Sequence, residues 1–224
     1  MRELTRLVKQ APGVECLFVQ GACGDINPYL DKTPRSDGGV ENMRAVGRTC
    51  AEGVLAAIEH IRTAAVEAPV LAYREQPVQV GAGFDLSQAD QCEVLRQAFG
   101  ARFDSVKPLL TPDFSVPLAT FLIGPDLGFA FVPGEPFVQF QLDIEARSVV
   151  PNSLLCGYAN GYHPYLATLE GAAAGGYGGI AATYVGAGAG EKLVACALTD
   201  LGVLSGRIEK RVTSEDFISE EWQT

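Results

Sequence analysis

The stretch "GFAFVPGEPFVQFQLDIEARS", residues 128–148, decides the fold because its hydrophobic pattern changes within a few residues. Residues 128–134 are short, apolar and end at a glycine, which predicts a buried strand. Residues 135–148 predict a helix, with Pro136 in the first turn, where its missing N–H costs nothing. This places Glu135 at the end of a strand, at the edge of a sheet where ligands commonly bind. The alternative is a solvated glutamate that only compensates the helix dipole.

The rest of the chain repeats the same two patterns. An apolar run at 119–124 precedes residues 128–134 with a Pro-Asp-Leu turn between them, which predicts a hairpin. Residues 41–62 place apolar side chains at helical spacing and predict an amphipathic helix. Similar patterns predict strands at 13–20, 70–80 and 153–160, and helices at 2–10, 87–99 and 191–211. Hairpins combined with strand–helix units favour an α/β sandwich with a mixed β-sheet flanked by helices. We assign residues 1–211 to one domain and 212–224 to a polar C-terminal tail.

The composition narrows the classes of function. The chain has 224 residues, of which 47% are hydrophobic and 20% charged, as in a folded domain with a core. Its net charge of −10 argues against a nucleic-acid partner, because phosphate binding needs a basic surface. No run of about 18 apolar residues is present, so no transmembrane segment is predicted. The first residues are charged throughout and show no signal peptide, and the sequence leaves the compartment and the oligomeric state undefined.

A polar and aromatic segment follows the strand predicted at 153–160. This segment, "GYANGYHPYLAT" at 157–168, contains Asn160, Tyr162 and Tyr165. Glu135 likewise follows a predicted strand, at 128–134. Side chains that carry oxygen atoms therefore lie at the ends of two predicted strands. Such a loop can also be a packed corner of the fold. Two clusters of polar side chains at strand ends, taken together, favour a functional site.

Two other segments suggest chemistry less strongly. Cys23 lies in "ACGDINP" (22–28), whose spacing is not that of a nucleophile elbow. A cysteine nucleophile also needs a base, normally histidine, and the chain has only His60, at the end of a predicted helix, and His163, far along the sequence. A cysteine hydrolase remains an alternative. The stretch "GAGAGEK" (186–192) lacks the Gly-Lys-Ser/Thr of a phosphate loop, which favours a glycine-rich approach to a helix.

Three segments, taken in order, resemble motifs of the neutral/alkaline (non-lysosomal) ceramidase family. They are "ACGDINP" (22–28), "PGEPF" (133–137) and "NGYHPYLAT" (160–168). The family motifs are Asn-x-Gly-Asp-Val-Ser-Pro, Pro-Gly-Glu-Phe and Asn-x-Tyr-x-x-Tyr-x-x-Thr. The resemblance implies the later portion of a ceramidase-like catalytic domain, truncated at its N-terminus. In that family a zinc ion activates a water that attacks the amide of an N-acyl sphingoid, so the resemblance implies a zinc-dependent hydrolase of a lipid amide.

The resemblance also implies roles for individual residues. Glu135 matches the zinc-binding glutamate, and Tyr165 matches the zinc-binding tyrosine. Tyr177 matches a tyrosine that steadies the oxyanion. These roles are chemically coherent, because zinc accepts oxygen ligands and a phenol O–H can donate to a developing oxyanion.

Two departures from the family pattern shape the hypothesis. The family's other zinc ligands are histidines upstream of the first motif, and neither His60 nor His163 fits them. Asn27 stands where the family has serine; its amide can orient a carbonyl or a water but cannot act as a hydroxyl nucleophile. We therefore expect Asn27 to act beside the metal, with Asp25 and Asn160 contacting the substrate. The alternative is a non-catalytic remnant or binding module with the same fold and no metal.

Overall fold

The computed structural model describes residues 2–10, 17–28, 32–63, 65 and 70–209. The polar tail predicted at 212–224 lies outside these residues, as does the first part of the strand predicted at 13–20.

A four-stranded mixed sheet forms the centre of the fold. The strands of the described residues are β1 (Leu71–Gln79), β2 (Ser115–Ile123), β3 (Leu127–Phe131), β4 (Gly134–Pro136), β5 (Asn152–Cys156) and β6 (His163–Leu166). In the order β1-β2-β3-β5, the first three strands are antiparallel, and β3 pairs with β5 in parallel. Strands β4 and β6 form a separate parallel pair. The predicted mixed sheet and the β2–β3 hairpin are therefore confirmed.

Helices flank this sheet, as the sequence predicts. They are α1 (Arg2–Val8), α2 (Gly39–Ile58), α3 (Ala89–Phe99), α4 (Phe103–Val106), α5 (Val138–Arg147), α6 (Leu169–Ala174) and α7 (Ala189–Leu204). Helix α7 contacts β1, β2 and β3, and α5 contacts both β5 and α7. Leu193, Ala197 and Leu201 are buried at four-residue spacing, so α7 presents one apolar face to the sheet. Within the described ranges, no helix combines the length and the apolar character of a membrane span.

Helix α5 begins later than the sequence predicts. The helix predicted from 135 starts at Val138, and Glu135 belongs to β4 instead of a first helical turn. The reason is long-range pairing: β4 lies beside β6, and the Phe137 N–H donates to the Leu166 carbonyl oxygen at 3.0 Å. A partner strand distant in sequence thus outweighs the local helical pattern.

The strand predicted at 13–20 is not formed in its described part. Residues 17–20 belong to no strand, and the Leu17 side chain is 89% exposed. The Gln20 carbonyl accepts a hydrogen bond from the Gly157 N–H at 3.0 Å, just beyond the end of β5. A strand needs backbone partners along its length, and contact near one end of this run does not supply them.

Helix α2 forms where the sequence predicts a helix, but its apolar face is not buried. Met43, Val46 and Val54 are exposed, and only Gly47 and Ala51 on this helix are buried. Helix α2 packs against α1. A groove of about 610 Å³, lined by Leu4, Met43, Val46 and Cys50 among others, runs beside the two helices. We refer to it as the α2 groove.

Candidate functional site

The pairing of β4 with β6 brings Glu135 opposite Tyr165. Gly134 pairs with His163, and the register is irregular between Gly134 and Glu135. Gly134 has a φ of 141°, which other residues rarely adopt. The glycine therefore allows the two backbones to approach closely and sets the carboxylate beside the phenol.

The Glu135 carboxylate lies among three tyrosine side chains. The Tyr162 hydroxyl donates to Glu135 Oε1 at 3.1 Å. Tyr158 and Tyr165 lie close enough to this carboxylate for its charge to raise their pKa values. Its two oxygens offer about four lone-pair positions, so it can accept further hydrogen bonds besides that from Tyr162.

The surroundings of these phenols make them harder to ionise than a tyrosine in water. Burial, together with the negative charge of Glu135, raises the pKa of Tyr165 to about 12. Burial and the same carboxylate also raise the pKa of Tyr158 and of Tyr162. Tyr165 would therefore have to lose a proton in order to bind a metal as phenolate.

The tyrosine rings pack in two pairs. Tyr158 and Tyr162 stack with centroids 5.9 Å apart and an interplanar angle of 3°. Tyr165 and Tyr177 meet edge to face, with centroids 5.6 Å apart and an angle of 76°. Tyr177 begins a π-helical turn, Tyr177–Ala181, and its side chain is 71% exposed. The structure thus gathers Glu135, Tyr165 and Tyr177, although their chemical roles remain predictions.

The turn at 22–28 joins the site through backbone contacts. The N–H groups of Cys23 and Gly24 both donate to the Pro136 carbonyl oxygen, at 3.0 and 2.9 Å. Asp25 Oδ1 accepts from the Val138 N–H at 2.7 Å and so caps the start of α5. The segments at 22–28 and 133–137, the first two that resemble ceramidase motifs, therefore contact each other.

Two asparagines predicted to act in the site have exposed side chains. Asn27 is exposed in the loop beyond Asp25, and Asn160 is exposed in the β5–β6 loop. In the described part of the chain, neither side chain hydrogen-bonds Glu135. Their contacts with a substrate, and that of Asp25, remain predictions.

We predict that Asp25→Ala lowers the free energy of unfolding by about 1 kcal/mol, because α5 loses its side-chain cap. Chemical denaturation of both proteins measures the change. Asp25→Asn is the matched control, since its amide oxygen still accepts a hydrogen bond and should retain most of the stability. Equal losses in the two variants would show that the hydrogen bond to Val138 is not what stabilises the helix start.

The surroundings of Cys23 do not favour a nucleophilic thiolate. Burial raises the pKa of the Cys23 thiol, and the Glu135 charge raises it too, while hydrogen bonds with Tyr158 and Gln20 oppose the shift. The His163 ring packs edge-on against Phe114 with centroids 5.2 Å apart. A reactive cysteine needs a lowered pKa or an adjacent base, and these contacts supply neither.

The donor set of this site fits part of a zinc site. A carboxylate and a phenol oxygen on neighbouring strands, Glu135 and Tyr165, suit two ligand positions of a zinc ion. Among the residues that the structure describes, no group of three or more His, Cys, Asp and Glu side chains could hold a metal. Further ligands would therefore have to come from outside this group.

The arrangement of strands and helices can be compared with solved structures. The chain is similar to a neutral ceramidase from Pseudomonas aeruginosa, with a TM-score of 0.61 and 15% sequence identity. The similarity covers 95% of this chain and 41% of that enzyme. The fold is ceramidase-like.

A second solved structure, a ceramidase complexed with C2, gives a TM-score of 0.63, again at 15% identity. The similarity covers 95% of this chain and 43% of that ceramidase. The chain therefore spans less than half the length of either ceramidase. No protein-family model matches the sequence, and no curated protein matches it. The likeness accordingly shows the fold alone.

Sequence reasoning missed Tyr158 and did not assign a role to Tyr162. Tyr162 was visible as a member of the polar and aromatic segment at 157–168. Tyr158 lies where the strand predicted at 153–160 overlaps the segment at 157–168, whereas β5 ends at Cys156. An earlier end to that strand assigns Tyr158 to the loop alone, beside the other tyrosines.

Proposed function

We propose that this chain carries the carboxylate and phenol ligands of a zinc-dependent amide hydrolase of the ceramidase type. The observation that supports this most directly is the placement of Glu135 opposite Tyr165 on paired strands, where the carboxylate charge acts on the phenol. The ceramidase-like fold and the order of the three sequence motifs support the same proposal.

In this proposal Glu135 and Tyr165 hold the zinc ion together with ligands that the described residues do not supply. When bound, zinc lowers the pKa of water and polarises a carbonyl group. Tyr177 packs its ring against Tyr165 and keeps an exposed side chain, so its hydroxyl can donate to the substrate oxygen. Asn27 would orient the substrate carbonyl or a water by hydrogen bonding.

The proposed substrate is the amide of an N-acyl sphingoid or a related lipid amide. The similarity to two ceramidases suggests this class, since both share the fold of this chain. Exposed aromatic rings around the carboxylate, those of Tyr158, Tyr162 and Tyr177, offer apolar faces to a lipid chain. A polar group at the centre with aromatic faces around it suits an amide that joins two hydrocarbon chains.

Zinc titration of the purified, untagged chain tests the proposal. We expect saturable binding of one zinc per chain, weakened at least tenfold in Glu135→Gln because one anionic ligand is lost. Glu145→Gln is the matched control, since Glu145 is an exposed glutamate on α5 that accepts from Gln141 at 2.5 Å. Equal affinity in the two variants, or no saturable binding in the parent chain, would contradict the zinc assignment.

Hydrolysis of a fluorescent short-chain N-acylsphingosine then tests the reaction. We expect zinc-dependent release of the fluorescent fatty acid that Glu135→Gln abolishes and Glu145→Gln retains. If the chain binds zinc but does not hydrolyse lipid amides, the proposed substrate class is wrong and the proposed metal site stands.

A second candidate is a binding module with the same fold and no metal. The observation that favours it is that, within the described part of the chain, no group of three or more His, Cys, Asp and Glu side chains could hold a metal. Stoichiometric zinc in the purified chain would exclude this candidate. If the purified chain contains no metal and does not bind added zinc, the binding module is favoured over a zinc hydrolase that is active on its own.

A further inference from the structure

We propose that Tyr158 and Tyr162 are positioning residues that hold the Glu135 carboxylate in the orientation needed to bind a metal. The inference rests on the proposed function, because it concerns how one ligand of that site is oriented. Neither residue has a role among the ligands described above. Tyr162 acts on Glu135 through a hydrogen bond and Tyr158 through its stack on Tyr162, both from outside the pair that would contact the metal.

The contacts come from one short loop. Tyr162 donates to Glu135 Oε1 at 3.1 Å, and Tyr158, whose ring stacks on that of Tyr162, lies near the same carboxylate. Their rings stack almost in parallel, at an angle of 3°. Stacking of this kind restricts both side chains, so the two are held beside the carboxylate as one unit.

The backbone of this loop adopts conformations that L-residues rarely take. Tyr158 has a φ of 55° and Asn160 a φ of 60°, both in the left-handed region. Such conformations persist only where surrounding contacts fix them, and they concentrate at functional sites.

Two backbone hydrogen bonds fix the loop in place. The Tyr158 N–H donates to the Gly134 carbonyl oxygen at 2.9 Å, and the Ala159 N–H donates to that of Val132 at 3.0 Å. Gly134 directly precedes Glu135, so the loop is attached to the strand that carries the carboxylate. The strained conformation therefore serves to direct Tyr158 towards Glu135.

A further contact connects the first sequence motif with this loop. The Cys23 thiol lies near Tyr158, and the Cys23 N–H donates to the Pro136 carbonyl oxygen at 3.0 Å. Tyr158 thus lies between the turn at 22–28 and Glu135. This gives Cys23 a supporting role in place of a nucleophilic one.

Hydrogen bonds to a ligating carboxylate matter because they fix its orientation before the metal arrives. Removing an outer partner of this kind typically lowers metal affinity by about 10- to 100-fold. We therefore expect zinc affinity to fall about tenfold in Tyr162→Phe, which loses the hydrogen bond, and in Tyr158→Leu, which loses the stack, and further in the double variant.

The test compares zinc affinity in these variants with that of Tyr73→Phe. Tyr73 is a matched control because it is exposed and donates to another glutamate, Glu75, at 2.7 Å, on β1. At Tyr162, phenylalanine keeps the ring and removes only the hydroxyl, so stacking is preserved. Wild-type affinity in both single variants and in the double variant would overturn the inference.

Glu135→Gln, measured in the same series, separates the two proposals. If it binds zinc as the parent does, the zinc assignment itself fails. If it binds weakly while the tyrosine variants bind normally, only the positioning inference fails.

A metal-free crystal structure of Tyr158→Leu/Tyr162→Phe provides a second readout that does not depend on zinc. We expect the Glu135 carboxylate to occupy more than one rotamer once the hydrogen bond and the stack are lost. A single carboxylate position identical to that of the parent chain would overturn the inference, whatever the zinc affinities.

Discussion

Gly134→Ala is expected to lower the free energy of unfolding by about 3 kcal/mol or more. A Cβ at this position would collide with the His163 carbonyl oxygen and lie 2.9 Å from that of Pro164. The backbone φ of 141° adds strain for any residue with a side chain. Because both oxygens belong to β6 backbone, the clash can be relieved only by separating β4 from β6.

Urea denaturation followed by circular dichroism measures this loss. Gly53→Ala is the matched control: it lies within α2, and an added Cβ meets no atom within 4 Å. Alanine favours a helix over glycine by about 1 kcal/mol, so this control should be neutral or slightly stabilising. A Gly134→Ala protein as stable as the parent would show that β4 and β6 can separate without loss.

Arg74→Ala is expected to destabilise the fold by about 3 kcal/mol, because it removes an ion-pair partner from a buried carboxylate. Asp200 on α7 is only 1% exposed. Arg74 Nη1 lies 3.1 Å from its Oδ1, and Gln76 Nε2 donates to its Oδ2 at 2.7 Å. Both partners come from β1, so this ion pair ties the edge strand to the helix that covers the sheet.

Arg207→Ala is the matched control for this second prediction. Arg207 also pairs with an aspartate, Asp126, at 3.0 Å, but the two side chains are 35% and 58% exposed. Exposed ion pairs contribute at most about 1 kcal/mol to stability. Arg207→Ala should therefore lower the free energy of unfolding much less than Arg74→Ala does. Thermal unfolding of both variants at low and high salt measures the difference, and equal shifts in melting temperature would contradict the buried-pair argument.

The sequence predicts the β2–β3 hairpin of the central sheet well because local patterns determine it. The runs at 119–124 and 128–134 are separated by a short turn, so their pairing as β2 and β3 needs little long-range information. The start of α5 was misplaced for the opposite reason. Glu135 pairs with β6, which begins at His163. The residues near Glu135 in the sequence do not indicate this distant partner strand.

The candidate site was predictable in part. Strand ends identified Glu135 and Tyr165 as side chains that could meet, and the structure brings them together. The involvement of Tyr158 depends on a left-handed backbone at a residue other than glycine. Sequence patterns predict glycine, asparagine or aspartate for that conformation, so a tyrosine in it could not be foreseen.

The α2 groove has a consequence for how the isolated chain can be handled. A contiguous apolar surface promotes association between molecules, and its attraction strengthens on warming because hydrophobic stabilisation weakens on cooling. The net charge of −10 opposes association by mutual repulsion, which salt screens within about 10 Å at 0.1 M. Cold, dilute, low-salt buffer should therefore keep preparations dispersed longest, and concentration in warm, high-salt buffer should precipitate them first.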